Sequence, residues 1–143
     1  MKRNSMTLLA KCCDVGEGHH HPDLFFRGEG NVAKEILSRS PSAIGIPSIV
    51  HYELEVGIAK STSPRKRLGQ LEQLTAVVQT LPFGPSEARA SAAIRSSLEK
   101  KGTPIGPYDV LIAGTAKACG ATLVTRNTRE FKRVRGLALE NWY

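Results

Sequence analysis

From Phe25 onward, short apolar runs of strand length alternate with segments whose apolar residues recur at helical spacing. This alternation constrains the fold more than any other feature of the chain. Strands that are apolar on both faces need helices above and below them, so the pattern predicts an α/β fold. The expected form is a three-layer α/β/α domain with a parallel sheet over residues 25–143. Asn31 can cap a first helix through Ser38, with Val32, Ile36 and Leu37 on one face. Ala43 to Pro47 reads as a strand. Ser48 then caps a helix from Ile49 to about Lys60, and Ser61 to Pro64 make a turn. The third helix carries Leu68, Leu71, Leu74, Val77 and Val78, followed by a strand at Leu81 to Phe83. Ser86 caps a fourth helix with Ala90, Ala93, Ile94 and Leu98 inward and Gly102 at its end. Pro107 opens a fifth helix to about Ala118, stopped by Gly120. Thr122 to Thr125 and Leu137 to Leu139 read as the last strands.

A chain of 143 residues with 41% apolar and 23% charged residues suits one domain with a core of its own. Lys and Arg number 20 against 13 Asp and Glu, a formal charge of +7, which favours an anionic partner such as nucleic acid. Aromatics make up only 6%, so no stacking platform for single strands is evident. Three cysteines without regular spacing argue against a disulfide framework and for a reducing cytoplasm. No apolar run reaches membrane-spanning length, and no apolar stretch of signal-peptide type follows Met1-Lys2-Arg3.

Residues 1–24 form an atypical segment outside this pattern. Cys13 to Asp23 hold Gly16, Gly18, Pro22 and three consecutive histidines where an α/β domain places its first, central strand. Glycine weakens a strand and proline cannot donate to its ladder. The expectation is that Met1 to Leu24 do not supply a central strand. His19-His20-His21 with Cys12, Cys13 and Asp23 do not have zinc-site spacing, because consecutive side chains diverge. Gly16-Glu17-Gly18 lacks the strand-to-helix setting of a phosphate loop. Cys119 reads as a packing residue, and Arg65-Lys66-Arg67 as a solvated helix start.

Three acids stand at related places. Glu53 falls in the first half of the second helix, Asp109 in the first turn of the fifth, and Glu130 after the strand at Thr122 to Thr125. Each alone is unremarkable, since acids are favoured in first helical turns. Gathered at the carboxyl ends of parallel strands, where α/β sheets bind ligands, they would repel one another unless a cation held them. Oxygen donors without a Cys/His set select Mg²⁺ or Mn²⁺.

The residues around these acids carry a resemblance. The run from Thr103 through Gly106-Pro107-Tyr108-Asp109 and Ala113-Gly114-Thr115-Ala116 continues into Thr122-Leu123-Val124-Thr125-Arg126-Asn127-Thr128-Arg129-Glu130-Phe131. It ends in Arg135-Gly136-Leu137 and Glu140-Asn141-Trp142. This run resembles the C-terminal half of PIN-domain ribonuclease toxins of the VapC type. Ile46-Pro47-Ser48 through Glu53-Leu54-Glu55-Val56-Gly57 resembles their second acidic motif. The resemblance implies an α/β/α domain and a metal-dependent endoribonuclease, the toxin of a toxin–antitoxin pair. It implies Mg²⁺ or Mn²⁺ held by Glu53 and Asp109, with Asn127, Glu130 and Thr125 as further catalytic-site residues. It also implies an RNA substrate, a cognate antitoxin and a homodimer.

The family's first motif, an apolar strand ending in Asp-Thr-Asn or a similar triplet, is missing. Asp14, Glu17 and Asp23 are the only acids near its place, and none precedes a threonine. Read from their second nucleotide, codons for Gly18 to Phe25 permit Asp-Thr-Thr-Thr-Leu-Ile-Tyr, directly before a phenylalanine. The sequence thus points to a frameshift ending near Phe25. The rival reading is a catalytically inactive PIN-like protein that only binds an antitoxin or RNA. The nucleotide sequence across codons 10–26 separates the two.

Overall fold

The computed structural model describes residues 6–9 and 32–142, without the side chains of residues 9, 32 and 33. The elements, in chain order, are strand β1 (Thr7–Leu9), helix α1 (Val32–Leu37), a 3₁₀ turn (Pro41–Ala43), β2 (Ile44–Pro47), α2 (Ser48–Ala59), α3 (Pro64–Val77) and β3 (Gln79–Leu81). There follow α4 (Pro85–Lys100), α5 (Pro107–Ala118), β4 (Thr122–Val124), α6 (Thr128–Phe131) and β5 (Ala138–Glu140). The five strands form one sheet in the order β3-β2-β1-β4-β5, and every pairing is parallel. The predicted three-layer α/β/α architecture is what the chain adopts.

One expectation is overturned. Residues 1–24 do supply the central strand: Thr7–Leu9 lie between β2 and β4, with Thr7 opposite both Ile44 and Thr122. The argument against a strand applied to Cys13 to Asp23, which lie outside the described residues. Upstream, the short apolar run at Met6 to Leu9 escapes that argument. A strand of three residues needs only a few apolar side chains to fill the middle of a short sheet. Leu8 is fully buried, and the Thr122 amide donates to the Met6 carbonyl at 2.9 Å, extending the ladder by one bond.

The core gathers Leu8, Ile44, Ile46, Leu123 and Val124 from the strands and Val50, Leu54, Leu71, Ile94, Leu98, Ile112 and Ala113 from the helices. The sequence pattern placed most of these and misplaced a few. Leu37 is 86% exposed; among the described side chains of the short helix α1, it is Ile36 that packs against the core. Val77 is also exposed; the chain leaves the helix there, and the buried contact falls to Val78. β3 begins two residues earlier than expected, at Gln79. Ser48 lies inside α2, and its hydroxyl donates to the Leu81 carbonyl at 2.6 Å, tying α2 to the end of β3. Gly84, not Ser86, caps α4, and the Glu87 carboxylate reaches back to accept from the Gly84 amide at 3.0 Å. The Asn31 cap lies outside the described residues. Gly102 and Gly120 adopt φ of 68° and 61°, the left-handed conformation a helix stop requires.

The tightest packing is between α4 and α5. Ser91, not Ala93, faces inward, and it meets Gly114. A Cβ on Gly114 would sit 1.8 Å from Ser91 Oγ and 2.8 Å from Ser91 Cα, so backbone as well as side chain bars it. Ser91 Oγ is buried and has no hydrogen-bond partner among the described residues, a consequence of that close approach. We predict that Gly114→Ala destabilises the fold by about 1–3 kcal/mol through overpacking, more if α5 cannot shift. Adding Ser91→Gly should restore part of the loss in a denaturant melt, since two of the three clashing atoms then disappear. Equal stability of Gly114→Ala and the parent chain would contradict the packing described.

Candidate active site

The acids named from the sequence sit at the carboxyl ends of β2 and β4. Pro47 ends β2 and α2 follows at once, so Glu53 lies in the helix that leaves that strand, half-buried. Asp109 occupies the first turn of α5, just inside Gly106-Pro107; proline at the first helical position suits its fixed φ. Its residue is only 9% exposed. Glu130 lies in α6, which follows β4 after Thr125 and Asn127.

Hydrogen bonds draw the loops together. One Glu130 oxygen accepts from the Gly106 amide at 2.8 Å, and the other accepts from Asn127 Nδ2 at 2.6 Å. Glu130 therefore fastens the start of α5 to the turn after β4, across 24 positions of sequence. The Asn127 amide in turn donates to Thr125 Oγ1 at 3.0 Å. Thr125 is fully buried, so its hydroxyl shapes this turn from behind and does not face solvent. Gly106 stands close against the acids: a Cβ there would lie 3.4 Å from Asp109 Oδ2 and 3.8 Å from Glu130 Oε1.

The other two acids also act on Asp109 electrostatically. The Asp109 carboxyl is pushed up to about 7, first by burial, then by the charges of Glu130 and Glu53, and by a hydrogen bond with Glu130. Both Glu130 oxygens are engaged by hydrogen bonds, and Asp109 is the acid whose ionisation the setting resists. A divalent cation would relieve the same repulsion without a proton, and the donors are all hard oxygens. The residues therefore fit such an ion in chemistry. Among the described residues, however, no three His, Cys, Asp or Glu side chains are grouped tightly enough to enclose one alone. Asp14, Glu17 and Asp23 lie outside those residues.

One feature escaped the sequence. Tyr52 and Tyr108, each directly preceding an acid, meet with ring centroids 5.8 Å apart and planes tilted by 51°. Their positions in the sequence carry no signal of that meeting beyond the acids beside them.

The acid crowding has a pH signature. Asp109 titrates near 3.8 when unfolded and at about 7 when folded without metal. Between those values the folded chain holds the extra proton, so stability is highest on the acid side and declines as pH rises toward about 7. Thermal melting of chelator-treated protein should therefore give a lower Tm at pH 8 than at pH 5.5. Asp109→Asn should flatten that difference and raise the Tm at pH 8. An unchanged slope in the variant would mean that Asp109 is not the group under strain.

Comparison with known proteins places this geometry. The PIN domain family's sequence profile matches residues 23–137. The chain is 38% identical to the tRNA(fMet)-specific endonuclease VapC of Salmonella typhimurium over 109 residues, 76% of this chain and 83% of that protein. It is 37% identical to ribonuclease VapC2 of Rickettsia felis over 122 residues, 85% and 87% of the two chains. In structure it is similar to the DNA-bound VapBC of Salmonella typhimurium, with a TM-score of 0.81 and 30% identity, covering 97% of this chain and 99% of the other. The chain belongs to the PIN-domain family, among its VapC ribonucleases.

Proposed function

We propose that the chain is a metal-dependent endoribonuclease that hydrolyses RNA phosphodiester bonds and serves as the toxin of a toxin–antitoxin pair. The observation that carries this reading is the buried Asp109 carboxyl within the field of Glu53 and Glu130, an arrangement that costs stability and contributes nothing to the core. Asp109 and Glu53 would hold Mg²⁺ or Mn²⁺. The ion, when bound, supplies a lowered pKa for its water and positive charge for the phosphorane-like transition state. Glu130 completes the acidic pocket and keeps the Asp109 turn against the β4 loop. Asn127 and Thr125 are positioning residues: the first orients Glu130, the second fixes the Asn127 turn. The +7 charge holds the RNA backbone, so binding should weaken with salt.

A cognate antitoxin is the expected protein partner, in line with the VapBC neighbour, and the chain is expected to work as a homodimer in the cytoplasm. No helix among the described residues is long and apolar enough to cross a membrane. The missing first acid is best supplied by the shifted frame at Gly18 to Phe25, which sequencing of codons 10–26 decides.

The test is cleavage of RNA by the frame-restored chain beside the written one. The restored chain should cleave with Mg²⁺ or Mn²⁺ and stop in excess EDTA. Asp109→Asn should lower the rate by about 100-fold or more, because an amide offers only a dipole where a full charge is needed. Cleavage that survives EDTA would overturn the mechanism. A restored chain that binds RNA but never cuts it would leave the inactive, binding-only reading in its place.

A further inference from the structure

The proposed site uses Glu53 of α2 and Asp109 of α5, but not the tyrosine that precedes each. Tyr52 and Tyr108 are 51% and 46% exposed. Among the described residues, the exposed large apolar side chains are Leu37, Leu68, Val77 and these two. Single exposed apolar residues need no explanation, but two aromatics brought together from distant helices do. Their rings, tilted by 51° at 5.8 Å, leave part of each face uncovered. Each tyrosine directly precedes an acid of the proposed site, Glu53 in α2 and Asp109 in α5, so the paired rings stand beside the acid cluster.

We infer that Tyr52 and Tyr108 form a stacking platform for an unpaired nucleobase of the RNA, beside the phosphate that the acids address. This rests on the ribonuclease reading. The chemistry favours a base over other occupants. A phosphate would be repelled by the neighbouring carboxylates, whereas a base offers a neutral π-face that any tyrosine ring accepts. Such a platform can engage only bases freed from a duplex, so it directs the enzyme to single-stranded or loop RNA. It also draws binding strength from stacking, which salt does not screen, beside the salt-sensitive contacts of the basic surface.

The experiment uses the full chain and a short single-stranded RNA. In EDTA, 2-aminopurine placed in turn at each nucleotide should be quenched at one position, and an abasic ribose there should weaken binding about tenfold. Tyr108→Leu should weaken binding by a similar factor, and the abasic ribose should then cost nothing more. Tyr108→Phe should bind as the parent does. Under metal-supported cleavage the leucine variant should show its loss in KM more than in kcat. Tyr52→Leu serves as the second variant should Tyr108→Leu melt early. Leucine variants that bind and cleave like the parent, or an abasic penalty that simply adds to theirs, overturn the platform alone. So does loss of binding to a partner protein with RNA binding unchanged. A frame-restored parent chain that neither binds nor cleaves RNA overturns the ribonuclease reading and the platform with it.

Discussion

Burial of the Asp109 carboxyl beside two further acids is the constraint around which this site is arranged. Asp109 sits in a setting that resists its ionisation, with Glu53 and Glu130 both within its field. A fold selected only for stability would place an apolar or neutral residue there. What keeps the acids from separating is Glu130, held by the Gly106 amide on one oxygen and by Asn127 on the other. Those bonds join the start of α5 to the turn after β4, so the strain at Asp109 cannot relax by moving the helix away. Strain of this kind persists only where its surroundings over-determine it.

The sheet makes the meeting possible. Its order, β3-β2-β1-β4-β5, sends the chain outward to one edge and then back across the centre to the other. Helices that leave β2 and follow β4 therefore bring Glu53 and Glu130 to the same end, on either side of β1. The close contact of Ser91 with Gly114 seats α5 firmly against α4, and α5 carries Asp109 at its start. Packing far from the acids thus sets where one of them stands. The C-terminus is secured separately: Arg39 lies over the Trp142 ring at 4.4 Å, and the indole donates to Glu140 on the edge strand.

The net charge and the tyrosine pair suit different parts of a nucleotide. A basic chain attracts the polyanion over distance, while the acids leave a locally negative centre that phosphate enters only with a cation. The aromatic rim offers the neutral part of a nucleotide a place beside that centre.

Much of this was legible in the sequence, and the reasons are specific. Alternating periodicity foretold the α/β/α layers, because a strand buried on both faces must be apolar throughout and a packed helix must not be. Gly102, Pro107 and Gly120 marked helix ends because few other residues meet those backbone demands. Glu53, Asp109 and Glu130 stand out as candidates by the residues that flank them. The sequence misled at the N-terminus, where the polar stretch at Cys13 to Asp23 obscured Thr7–Leu9 as the central strand. A strand of three residues leaves almost no periodic signal. It also could not tell Ser91 from Ala93 as the inward residue, since only the approach of α5 decides which small side chain fits. Only the tertiary structure brought Tyr52 to Tyr108 and set Glu130 against Gly106. Both contacts join segments far apart in the chain, and no local preference of either partner encodes the other's position.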